Sequence, residues 1–158
     1  MDNDKAIRSQ LVKTLRGGQA FETFDEIVNQ IPVDARFVVP ENRGRSAWEI
    51  VEHMRVSLVD LAEFIDNADG SYKELAWPEE YWPKMDSAPN PGDWDRSIDG
   101  FRVARGRIEG LVLDEDRELT ASFPWGEGQT LLHEVLLAIE HTAYHLGELV
   151  ELTAVLSA

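Results

Sequence analysis

Apolar residues recur every three or four positions through four long stretches of this chain, and proline or glycine clusters separate those stretches. That period predicts amphipathic helices and argues against alternating, half-buried strands. Ile7, Leu11 and Leu15, then Phe21, Phe24, Val28 and Ile31, predict a first helical segment from about Lys5 to Ile31. Gly17-Gly18 should bend it, and Pro32 should end it by removing a backbone donor. The second helix is expected to start at Ser46, with Glu49 in the reciprocal capping-box position, and to stop over Asn67–Gly70. Trp48, Val51, Met54, Val56, Leu58, Leu61 and Ile65 supply its packing surface. A third helix from about Trp94 to Leu113 carries Ile98, Phe101, Val103, Ile108 and Leu111 or Val112. The last starts after a Thr130 cap, and Leu132, Val135, Leu136, Ile139, Leu146, Leu149, Leu152 and Val155 carry it nearly to the end.

Between the second and third helices, Trp77-Pro78, Tyr81-Trp82-Pro83 and Pro89-Asn90-Pro91-Gly92 resist any continuous element. The aromatic rings can fasten this Tyr72–Asp93 connection to the rest of the chain, so it reads as a packed crossover or site cover. The most economical architecture is an all-α four-helix bundle, a single domain over residues 1–158, with a long Pro/aromatic crossover loop.

Charge narrows the partners. A formal net charge of −15 lacks the positive footprint that a phosphate backbone requires, so nucleic acid is not expected as a partner. No run approaches the roughly 20 apolar residues of a membrane span, so no membrane is expected either. No apolar signal segment follows Met1 to Lys5, and the absence of cysteine fits a cytoplasmic address while excluding thiolate chemistry by the protein itself. A homodimer is left open.

The chemistry concentrates in histidines. His141 and His145 lie four residues apart in the last helix, so their directions differ by only about 40° and both imidazoles can meet one ion. Such a pair can equally be two hydrogen-bonded core groups. His53, on the second helix, adds weight to the metal reading, because a bundle can bring that helix against the last one. Three imidazoles suit a borderline divalent metal (zinc, nickel or iron) and leave a position for water or a small-molecule substrate.

Acids flank these histidines at helical spacing. Glu49 and Asp60 share the His53 face, and Glu134 and Glu148 approach that of His141. A carboxylate there can fix a ligand's tautomer or serve as a base, with Glu148 and Glu49 the candidate bases. Solvation or helix capping is the plainer role for most such acids. His133 points about 80° from His141, so a place at the mouth, in contact with substrate, suits it better than one among the ligands. Tyr144 is a second candidate substrate contact, although its direction, about 100° from His145, favours packing. Dinucleotide-binding, phosphate-loop, His-Glu-x-x-His and Gly-x-Ser-x-Gly signatures are all missing.

Ser46-Ala47-Trp48-Glu49-Ile50-Val51-Glu52-His53-Met54-Arg55 and His141-Thr142-Ala143-Tyr144-His145-Leu146-Gly147-Glu148-Leu149-Val150 resemble the DinB/YfiT-like superfamily. Tyr81-Trp82-Pro83 and Pro124-Trp125-Gly126-Glu127-Gly128-Gln129-Thr130 resemble a bacterial branch of it. The resemblance implies a four-helix bundle with a divalent-metal site held by His53, His141 and His145. It also implies relatives that are thiol-dependent transferases or isomerases, alongside many without an assigned reaction. Glu148 stands where similar sequences often carry glutamine, and Gly17-Gly18-Gln19-Ala20-Phe21 lacks a histidine sometimes found there.

Three functional classes follow. The leading expectation is a metal-dependent enzyme that transfers a low-molecular-weight thiol to an electrophile; a metal-dependent hydrolase is its nearest rival. A non-catalytic metal-binding stress-response bundle is the second class. A metal-free bundle that recruits another protein through loop aromatics is the third.

Overall fold

In the computed structural model, residues 3–41, 43–84 and 89–156 are described. Five α-helices follow one another: α1 (Asn3–Arg16), α2 (Phe24–Asn29), α3 (Ala47–Ile65), α4 (Pro91–Leu113) and α5 (Leu131–Leu156). No strand occurs among the described residues, so the fold is all-α, and the four long helices pack as a bundle.

The first helical segment is broken where a bend was expected. Gly17 and Gly18 adopt φ of +77° and +73°, a left-handed conformation that stops α1. Thr23 then caps α2, with Glu26 returning the reciprocal bond to the Thr23 backbone. Phe21, expected in the apolar stripe, falls in the break and is exposed. Ile7, on the outer side of α1, is exposed as well.

α4 begins at Pro91, three residues before the expected Trp94, with Asn90 at its cap. Proline at the first helical position has no donor to lose and a preset φ, so it starts this helix where it was read as resisting one. Val103 points to solvent, as do Leu136 and Val155 on α5. The apolar spacing on these helices is therefore wider than the face they bury.

Caps placed the other elements where the sequence suggested. Ser46 Oγ accepts from Glu49 N, and Glu49 accepts from Ser46 N in return. Thr130 Oγ1 accepts from His133 N at the start of α5. Buried Arg8 serves the far end of α4: its guanidinium donates to the Val112, Asp114 and Arg117 carbonyls. The core sits between α3, α4 and α5, with Met54, Leu58, Phe101, Ile108, Val135 and Leu149 fully buried.

The crossover packs onto α3. Tyr72 and Tyr81 both donate their hydroxyls to Asp60, at 3.0 and 2.6 Å. Trp77, in contrast, stands mostly in solvent. Residues 85–88 of this connection lie outside the described set.

Candidate metal centre

α3 and α5 lie side by side, so His53 faces the two α5 histidines across the helix interface. Nε2 of His53 is 3.0 Å from Nε2 of His141. One nitrogen from each of His53, His141 and His145 falls within 4.8 Å of the other two. Around a tetrahedral ion bound at about 2.0–2.1 Å, neighbouring nitrogens stand roughly 3.3 Å apart. The His53–His141 pair is already near that spacing, and small rotations of the imidazoles would draw the third nitrogen in.

The outer nitrogens decide what the inner ones offer. His53 Nδ1 lies 2.9 Å from the Tyr81 carbonyl. A carbonyl only accepts, so Nδ1 carries the proton and Nε2 keeps its lone pair for the centre. His145 Nδ1 lies 2.6 Å from Glu148 Oε2, and donation to that carboxylate likewise frees Nε2. His141 differs: its Nδ1 is buried without a hydrogen-bond partner. Packing and its inward contact hold that ring.

Aromatic groups wall the centre. Trp82 stacks on His53 with centroids 3.9 Å apart and planes 6° from parallel, and the Arg45 guanidinium covers the other Trp82 face at 4.4 Å. The crossover thus contributes both the carbonyl that orients His53 and the ring that shields it.

Burial keeps the imidazoles neutral. It pushes His141 down to about 3, helped by the neighbouring His145 and His53, and pushes His145 down to about 4, helped by His53. His53 is also lowered, chiefly by burial, against the opposing pull of the Tyr81 carbonyl and Glu148. Neutral imidazoles are the form that ligates metal. Burial raises the Glu148 carboxyl, while His53, Tyr144 and Arg43 partly restrain it. The donor set, the inward lone pairs of His53 and His145 and the neutral state of the imidazoles fit a divalent cation.

The other residues singled out by spacing are distributed differently. Glu148 joins the cluster through His145 and borders a cavity of about 180 Å³ together with Arg43, Arg45 and Trp82. Glu49 turns away to the start of α3, where one oxygen accepts from Ser46 and the other from Arg45. Helix capping, the plainer of its two roles, is where the structure places it. Exposed Tyr144 sets its ring edge-on to His145 at 4.9 Å. His133 does not meet the cluster: its Nδ1 lies 2.9 Å from Glu134, at the rim of a separate cavity.

Spacing did not single out Tyr81 as an orienting group, because it acts through a backbone carbonyl that no side-chain pattern reports. Trp82 was legible as a loop aromatic, but its stacking on His53 depends on how the crossover lies.

Residues 18–149 match the family described as the DinB superfamily. The chain belongs to the DinB superfamily. No curated protein and no solved structure shows significant similarity to it. Among the described residues, no helix is long and apolar enough to cross a membrane.

Proposed function

We propose that this DinB-superfamily chain is a cytoplasmic, divalent-metal-dependent enzyme that joins a low-molecular-weight thiol to a small electrophilic substrate. The observation that carries the metal reading is the approach of His53 Nε2 to His141 Nε2 at 3.0 Å, with His145 completing the trio. Lone pairs turned toward each other repel unless a proton or a cation lies between them. A divalent ion held there supplies Lewis-acid chemistry that favours the thiolate form of a thiol.

The chain's own residues do the rest. His53 and His145 are held in the ligating tautomer by the Tyr81 carbonyl and by Glu148. Glu148 is our base: its raised proton affinity suits it to take the thiol proton on the oxygen that His145 does not occupy. Glu49 is left out of proton transfer because both its oxygens are engaged at the helix start. Trp82 keeps bulk water from the His53 face. Tyr144, beside His145, and His133, at the rim of the cavity that Tyr81 also lines, are the substrate contacts we assign. The thiol must come from a cofactor, since the chain has no cysteine.

Elemental analysis of untagged protein purified anaerobically tests the metal, with His141→Ala alongside. Near-stoichiometric metal in the parent and little in the variant is the expected result. Thiol consumption with an electrophile, lost in metal-free protein and in His141→Ala, tests the reaction. Equal metal content in the two proteins would end the metal reading. Metal-dependent hydrolysis without thiol consumption would transfer the assignment to a hydrolase, and metal without either turnover to a binding protein.

A further inference from the structure

On the side of α5 turned roughly 130° from the histidine pair lies a further cavity of about 130 Å³, open toward the break after α1. Leu15, Phe24, Phe101, Ile139 and Leu146 form its apolar walls, and Phe24 stacks on Phe101 at 3.9 Å. An apolar cavity of about 150 Å³ is enough to hold one benzene ring.

Of the polar side chains in the lining, Thr14 donates to the Gln10 carbonyl and Arg16 is held by Glu109, and Gln19 lies at the exposed edge, whereas Thr142 and Arg105 are less well matched. Thr142 is 7% exposed, and its Oγ1 is buried with no hydrogen-bond partner. The Arg105 side chain is 17% exposed, yet its nearest carboxylate oxygens, on Asp25 and Glu109, stand 3.8 and 3.7 Å away. Those are ion-pair distances beyond hydrogen-bond range. Both acids are held closer by other arginines: Asp25 by Arg102 at 2.7 Å and Glu109 by Arg16 at 2.7 Å. Arg102 also meets exposed Asp99. Neither Asp25 nor Glu109 lines the cavity, whereas Arg105 does. Arg105 is therefore the weakly matched cation of the network, and a mostly buried guanidinium without close acceptors is costly.

We propose that this cavity is a binding site for a small monocarboxylate with one ring or a short branched chain, its carboxylate on Arg105 and its apolar body between Phe101 and Leu146. A planar carboxylate matches the guanidinium fork, and the Thr142 hydroxyl gains a partner on the ligand. Single-ring size and one negative charge are the selection rules. The site is independent of the metal centre.

Calorimetric titration of the full chain with benzoate, and with benzamide as its neutral counterpart, tests the site. Saturable benzoate binding is expected, about tenfold or more tighter than benzamide. Arg105→Met should remove that preference, and Ala143→Leu, which fills the cavity, should remove binding of both while helical content stays unchanged. Thr142→Val should weaken benzoate by a few-fold. His141→Ala should bind benzoate as the parent does; loss there would place benzoate at the metal centre and overturn the proposal. Absence of saturable binding at about 10 mM, or parental benzoate affinity in both Arg105→Met and Ala143→Leu, would overturn it as well.

Discussion

The start and the middle of α5 carry histidines in opposite circumstances. At its start, His133 is exposed and leans on Glu134, at the rim of a cavity of about 770 Å³ lined also by Asp60, Glu74 and Glu127. Two turns later, His141 and His145 sit in a closed cluster with His53. One helix supplies both settings, so the difference comes from what α3 and the crossover set against it. Opposite His141, α3 presents an imidazole; toward the start of α5 it presents Asp60, which accepts from two tyrosines. Tyr81 takes part in both, with its carbonyl on His53 and its hydroxyl on Asp60. Spacing along α5 creates the opportunity for a cluster, and the facing helix decides where three imidazoles that could hold a metal come together.

The sharpest way to break this contrast is to remove one histidine from each setting. His53→Ala should lower metal affinity by more than about 100-fold, beyond what losing an outer hydrogen-bond partner typically costs. His133→Ala should leave affinity unchanged. Competition titration with a chromophoric chelator reads both. Similar losses in the two variants would mean that the ion is not confined to the closed cluster.

Acid should also act on the closed cluster. His141 and His145 have folded values of about 3 and about 4, below their ordinary 6.5, so the unfolded chain binds more protons between those limits. Stability from the neutral pair is then complete above about pH 6.5 and declines as pH falls toward the folded values. Urea midpoints of metal-free protein should fall from pH 7 to pH 4 and stay level from pH 7 to pH 8. His141→Leu should flatten that slope. Parallel slopes in the parent and His141→Leu would refute the assignment.

Much of this architecture was readable from residue order, for identifiable reasons. Ser46-x-x-Glu49 and Thr130 marked helix starts because capping is local, and the His141–His145 pair was visible because both lie on one helix. The break after α1 was harder to read. A glycine pair permits either a bend or a left-handed stop, and Thr23-x-x-Glu26, which decides between them, was covered by the apolar stripe. Glu49 illustrates a related ambiguity, since the spacing that placed it near His53 is also the spacing of a capping box. The Tyr81 carbonyl was out of reach, because a backbone acceptor 28 residues away leaves no periodic trace.

A smaller effect is expected from Glu148→Ala, which leaves three ligands in place and removes only the acceptor of the His145 proton. Losing such a partner typically costs about 10–100-fold in metal affinity. Glu148→Gln retains an acceptor and should recover part of the binding, but not the thiol turnover we assign to the base. Equal turnover in Glu148→Gln and the parent would remove that base.

The smallest effect uses the residue that joins the two settings. Tyr81→Phe deletes the hydroxyl given to Asp60 but keeps the carbonyl that orients His53. Asp60 retains Tyr72 as a donor, so one ordinary hydrogen bond is lost, about 1 kcal/mol or somewhat more for a charged acceptor. A lower urea midpoint with unchanged metal affinity is the expected pair of readings. The phenol would then anchor the crossover, while the peptide group alone positions the ligand. A fall in metal affinity as large as that of Glu148→Ala would instead show that fastening the loop at Asp60 is what holds the carbonyl against His53, and the two settings would have to be treated as one coupled unit.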